Sequence, residues 1–177
     1  MKIIDTEIPE VKIIEPKVFG DERGFFLETF QATRYSEFLG DEVSFVQDNH
    51  SRSRKGVLRG LHFQKMKPQG KLVRVVTGEV YDVAVDIRKD SNTFGHWVGV
   101  LLTGDNKRQF WVPPGFAHGF VVLSDVADFE YKCTDYYDPT DESAIRWDDP
   151  TLNIKWPMDF EPSLSAKDAD AGFLKDL

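Results

Sequence analysis

The segment Arg59-Gly60-Leu61-His62-Phe63-Gln64 places a histidine inside a stretch that reads as a strand. Imidazole can remove a proton near neutral pH, and a glycine beside it leaves room for a ligand. Strand alternation puts His62 on one face with Gly60 and Gln64, and Arg59, Leu61 and Phe63 on the other. A histidine bonded within a packed sheet is the competing and commoner reading. Lys71 opens the next apolar run. An ammonium beside a ketone oxygen would stabilise the enolate formed when the adjacent carbon loses its proton. By itself, a lysine is more often a solvated surface charge. In Asp128 to Cys133, Phe129, Tyr131 and Cys133 share one face and Glu130 and Lys132 the other, so Tyr131 is expected to point inward. A phenol there can protonate a carbanion, or it can be a core tyrosine with a partnered hydroxyl.

Asp168 has two readings. Ser165-Ala166-Lys167-Asp168 has the spacing of a capping box, which makes Asp168 a helix-starting residue. Alternatively, its carboxylate orients His62 and stabilises the protonated imidazole, as aspartate does in a catalytic triad. The spacing by itself favours the cap. Arg52, Arg54, Lys55 and Arg59 form a basic cluster, a solvated loop by default but able to pair with a diphosphate. Pro113 to His118 fits the P-x-G-x-x-H pattern of metal-binding cupins. The other half of that pattern needs H-x-H and a glutamate, where this chain has His62-Phe63-Gln64. His50, His62 and His118 remain as three imidazoles that could hold zinc, but the carboxylate usual for iron or manganese is missing.

The elements that must position these groups are short strands. Lys71 to Val76 and Glu79 to Ile87 flank Thr77-Gly78, a hairpin-like signal. In the second run Tyr81, Val83, Val85 and Ile87 alternate with Asp82, Ala84 and Asp86, the pattern of a half-buried strand. Further runs cover residues 97–103, 108–112, 117–123 and 128–133, separated by Gly-Asp-Asn, Pro-Pro-Gly and polar turns. With almost no helix between them, they predict an antiparallel sandwich or barrel. Residues 31–39 carry Ala32, Tyr35, Phe38 and Leu39 at helical spacing, and the tail after Ser165 can form a short helix.

The 177 residues fit one domain, 1–177, with no repeat or linker. A net charge of −8 argues against nucleic acid, though a few arginines in a cleft suffice for a small anion. Cys133 is the single cysteine, which excludes an internal disulfide and a thiolate metal cluster. No signal core and no apolar run of about 20 residues is present, so no membrane association and a cytoplasmic location are expected.

Several longer motifs occur in order: Asp21 to Glu28 (DERGFFLE), Val46 to Ser51 (VQDNHS), RGLHFQ at 59–64, QGKLVR at 69–74, PPGFAHGF at 113–120 and LSAKD at 164–168. With these the chain resembles the dTDP-4-dehydrorhamnose 3,5-epimerases over nearly its whole length. The resemblance implies a mainly β, cupin-like antiparallel jelly-roll barrel with a few short peripheral helices. It implies a homodimer that exchanges edge structure, and no metal or organic cofactor. The substrate implied is a dTDP-linked 4-keto-6-deoxy sugar, inverted at C3 and C5. Carried over by motif, His62 is the base paired with Asp168, Tyr131 the acid, and Lys71 the enolate stabiliser. Arg23, Glu28, Gln47, Asn49, Arg59, His118, Glu142 and Lys167 fall at substrate-contacting positions, with Arg23 and Glu28 reaching into the partner's site. Tyr137 fits an aromatic position near the active site. Competing readings are an epimerase of C3 or C5 alone, a metal-dependent cupin such as a dioxygenase or phosphosugar isomerase, and a non-catalytic sugar-nucleotide binding module.

Overall fold

The computed structural model describes residues 1–177, and most of the chain forms short strands. In order they are β1 (Lys2–Asp5), β2 (Lys12–Glu15), β3 (Val18–Asp21), β4 (Gly24–Leu27), β5 (Gln47–Arg54), β6 (Leu58–Gln64), β7 (Lys71–Thr77), β8 (Glu79–Asp86), β9 (Trp97–Thr103), β10 (Gln109–Val112), β11 (Phe116–Val122), β12 (Val126–Cys133) and β13 (Glu142–Ala144). Helix α1 (Ala32–Leu39) lies between β4 and β5, and α2 (Ala166–Ala169) and a 3-10 turn (Leu174–Asp176) lie near the C-terminus. A six-stranded sheet runs β1-β2-β10-β7-β12-β5 and a five-stranded sheet runs β13-β6-β11-β8-β9. All the pairings within them are antiparallel. The expected jelly roll is present as two facing sheets whose edges are not hydrogen-bonded into a closed cylinder.

Between the sheets Val73, Val75, Val80, Ala84, Val100, Leu102, Phe110, Val122 and Phe129 form the main core. Strand β7 illustrates the pattern behind it. Val73 and Val75 point into this core, Leu72 joins the cluster under α1, and Arg74 pairs with Glu130. Helix α1 starts at Gln31, whose side chain accepts the backbone N–H of Arg34. Its Tyr35 packs against Ile14, Leu72 and Trp111, and the buried hydroxyl donates to Gln109 Oε1 at 2.7 Å. A third cluster, Leu61, Phe63, Val83, Val85, Ala117, Ile145, Leu152 and Leu174, seals the C-terminal segment onto the five-stranded sheet.

Two expectations are corrected here. Thr77-Gly78 does not close a hairpin: β7 pairs with β10 and β12, while β8 pairs with β9 and β11 in the other sheet. Gly78, at φ +81°, turns the chain across from one sheet to the other, and a Cβ there would meet the Val126 carbonyl oxygen at 2.1 Å. Strand β8 is not half-buried either. Tyr81, Val83 and Val85 pack under the C-terminal segment, whereas Val80, Asp82 and Ala84 on the alternate face are buried completely. The tail covers the apolar face of the alternation, and the face that carries Asp82 turns toward the other sheet.

Strands β3 and β4 form a separate two-stranded ribbon. Phe19, Phe25 and Phe26 stand on it exposed, Phe26 at 69%.

Candidate active site

A cavity of about 380 Å³ opens between the two sheets, and side chains from both of them line it. Strand β6 contributes Arg59 and His62, β7 contributes Lys71, β11 His118, β12 Tyr131, and β5 Gln47 and Asn49; Glu142 of β13 stands at the wall. Strict alternation would send Arg59 and His62 to opposite faces, yet both line the cavity. The register explains the correction. His118 pairs with His62 and Phe120 with Arg59, so Gly60 and Leu61 together oppose the single residue Gly119. The extra residue is a β-bulge that reverses the phase of the strand. Its crossing is tight: a Cβ on Gly60 would meet Gly119 Cα at 2.5 Å, and one on Gly119 would meet the Arg59 carbonyl at 2.6 Å.

His62 Nε2 lies 2.5 Å from Asp168 Oδ1. With Nε2–H donating to the carboxylate, Nδ1 is the nitrogen free to accept a proton. Asp168 is 3% exposed. Burial pushes its carboxyl up, but the His62 bond and charge and the Ser165 hydroxyl outweigh that and hold it below its ordinary value. The two readings of Asp168 are compatible, because the backbone N–H donates to the Ser165 cap at 3.1 Å while the side chain serves His62.

Lys71 projects into the cavity with its ordinary pKa lowered, burial being the main cause. Burial likewise pushes the Tyr131 phenol up, so it stays protonated at neutral pH as a proton donor must. It lines the cavity and its ring leans on Phe129, centroids 5.8 Å apart. His118 Nε2 donates to the buried Asp82 at 2.8 Å. Arg59 donates to Ser53 Oγ through Nε and Nη2 at 3.1 and 3.0 Å. At the rim, Tyr137 donates its hydroxyl to Glu142 Oε2 at 2.9 Å, and Lys167 pairs with the same oxygen.

Some expected groups are not drawn in. Arg23 pairs with Asp21 at 2.5 Å and Glu28 with Arg34 at 2.5 Å, both outside this chain's own cavity. Of the basic cluster only Arg59 lines it. Arg52 pairs with Asp128, and Arg54 and Lys55 are exposed. The three imidazoles do not converge, since His50 bonds Asp128 at 2.9 Å on the other face of β5 from Gln47 and Asn49. No three His, Cys, Asp or Glu side chains are grouped to hold a metal ion.

Other lining residues were not singled out from the sequence. Phe120 and Phe129, stacked at 4.2 Å, form an apolar wall. The signal was available, because each lies two residues from His118 or Tyr131 on an alternating strand. Asp82 stands behind this wall, bonded to His118, on the face of β8 that alternation alone assigns to solvent.

A double-sheet jelly roll with acid–base side chains gathered in the cavity between its sheets is the architecture of a cupin-type isomerase. The family model for dTDP-4-dehydrorhamnose 3,5-epimerase matches residues 5–176. The Salmonella typhimurium enzyme of that name is 60% identical over 175 residues, 98% of this chain and 96% of that one. Among solved structures, a dTDP-6-deoxy-D-glucose-3,5-epimerase from Legionella pneumophila in complex with dTDP-4-keto-L-rhamnose superposes with a TM-score of 0.96 at 64% identity, covering 98% of this chain and 93% of that one. A 3'-monoepimerase from Streptomyces bikiniensis in complex with dTDP-quinovose superposes with a TM-score of 0.91 at 33% identity, covering 97% and 87%. The chain belongs to the dTDP-4-dehydrorhamnose 3,5-epimerase family.

Proposed function

We propose that the chain inverts C3 and C5 of dTDP-4-dehydro-6-deoxy-D-glucose to give dTDP-4-dehydro-L-rhamnose. The observation that carries this is one cavity receiving His62 and Tyr131 from facing sheets, with Lys71 beside them. The C4 ketone acidifies the hydrogens on C3 and C5. His62 Nδ1 removes one of them, the charge moves to the ketone oxygen, and the Lys71 ammonium stabilises it there. Tyr131 returns a proton from the opposite face, which inverts the carbon. Product and substrate are isomers, so the balance needs no oxidant or reductant, and activity is expected to survive exhaustive chelation.

Asp168 orients His62. Gln47, Asn49, Arg59, His118, Glu142 and Lys167 contact the sugar, diphosphate or nucleotide, Arg59 supplying a fork suited to phosphate oxygens. The active form is a homodimer in which Arg23 and Glu28 extend into the partner's cavity. That arrangement accounts for a ribbon whose phenylalanines are exposed in the single chain. No helix is long and apolar enough to cross a membrane, and the proposed location is the cytoplasm.

The test is solvent exchange. In deuterated water, label is expected at both C3 and C5 of dTDP-4-dehydro-6-deoxy-D-glucose. Label at one carbon alone would make this a single-centre epimerase, the activity named for the Streptomyces relative at 33% identity. Tight dTDP binding with no label at either carbon would reduce it to a binding module.

A further inference from the structure

We propose that Asp82, buried behind His118 of the cavity wall, is a positioning residue that keeps Lys71 charged and holds His118 in one orientation. The inference rests on the role proposed above for Lys71. Asp82 is 0% exposed and its Oδ1 accepts the His118 Nε2 proton at 2.8 Å. Its Oδ2 has no hydrogen-bond partner, and no other buried side-chain nitrogen or oxygen in the chain is left that way. An unpartnered oxygen on a buried carboxylate is costly unless a neighbouring charge offsets it. Lys71 is the cation within reach of that charge, and it too makes no hydrogen bond to the protein.

The groups that face Lys71 are Asp82 from β8, Cys133 from β12 and His118 from β11. The Cys133 thiol is pushed up by burial and stays neutral. His118 is pushed down by burial, so it stays neutral and donates from Nε2. The other carboxylates at the site are engaged elsewhere, Asp168 with His62 and Glu142 with Lys167 and Tyr137. Asp82 is therefore the anion that answers the Lys71 ammonium. Burial lowers Lys71, opposed by Cys133 and then by Asp82. Burial raises Asp82, opposed by His118 through its charge and hydrogen bond and then by Lys71. With the thiol and the imidazole neutral, Lys71 and Asp82 are left as each other's counter-charge. An enolate stabiliser has to carry its proton before the substrate arrives, and the pair supplies that condition in a desolvated site.

Two measurements test this. Asp82→Asn is expected to lower kcat at pH 8 by at least about tenfold with KM within about threefold. Its alkaline limb should shift about one unit or more toward lower pH. The sign follows from burial acting alone on Lys71, which would then lose its proton at a lower pH. A pH profile parallel to that of the wild type would overturn the proposal. The second measurement is urea unfolding of Lys71→Met, Asp82→Asn and the double variant. Lys71→Met strands the buried carboxylate and should lower the midpoint; adding Asp82→Asn to it should raise the midpoint again, although Asp82→Asn alone lowers it. Additive losses would overturn the pairing, and because unfolding needs no substrate, that result would leave the epimerase reading standing.

Discussion

His62 and Tyr131 must act on the same sugar in opposite senses, and their surroundings differ accordingly. One is braced by a carboxylate at 2.5 Å, and the other is a half-buried phenol held neutral. His62→Ala is expected to abolish deuterium incorporation at both carbons. Tyr131→Phe should slow inversion more than proton removal, so that label washes into substrate faster than product forms. Product at the wild-type rate from Tyr131→Phe would reject its acid role. Carboxylates also set the acid limit of the fold. Burial pushes Asp86 up, but the hydrogen bonds from Arg88, Ser91 and Thr93 outweigh it and hold the carboxyl well below the usual range. A folded-state pKa below the unfolded value of about 3.9 contributes stability above that value and loses it as pH falls through the lower one. Asp86→Asn should therefore lower the urea midpoint at pH 7 by more than at pH 3, and an equal drop at both would contradict the assignment.

At the scale of elements, the bulge in β6 matters most, because it brings Arg59 and His62 to one side. Gly119→Ala would press a methyl group against the Arg59 carbonyl oxygen at 2.6 Å. Backbone cannot yield as a flexible side chain does, so a loss of about 1–3 kcal/mol in unfolding free energy is expected. The fall in kcat/KM should exceed that of Phe120→Leu, which trims the same wall without touching the register. A Gly119→Ala enzyme with wild-type kinetics would show that the bulge does not set the site. The C-terminal segment is the second such element. Asp149 accepts the backbone N–H groups of Thr151, Leu152 and Leu174, and Leu174 packs with Leu61 and Ile145. These anchors hold in place the chain that carries Asp168.

For the molecule as a whole, the informative feature is the β3–β4 ribbon. Phe19, Phe25 and Phe26 are exposed on it, and Arg23 sits at its turn. In the proposed homodimer this ribbon packs on the partner. Phe26→Asp is expected to shift sedimentation from dimer to monomer and to cut kcat/KM, because Arg23 and Glu28 would no longer reach the second cavity. A wild-type chain sedimenting as a monomer at micromolar concentration would defeat this reading. The net charge of −8 keeps such a surface soluble without specifying its partner.

Much of this was legible along the chain. Period-two runs and turn residues defined β6 to β12 within one or two positions but not β1 to β5 or β13, and the motifs at 59–64, 69–74 and 113–120 located several of the groups that line the cavity. Alternation also turned Tyr131 inward, because each strand of this kind needs one apolar face buried. What alternation cannot report is which strands become neighbours or where the phase slips, since those depend on contacts between distant segments. Thr77-Gly78 crosses between sheets instead of folding β7 onto β8, and two residues opposite Gly119 put Arg59 beside His62. Asp168 lies 106 residues beyond His62, and only the docked tail brings its carboxylate to the imidazole. The same tail covers the apolar face of β8, while the facing sheet covers the face that carries Asp82, so the burial of its carboxylate was decided by tertiary packing.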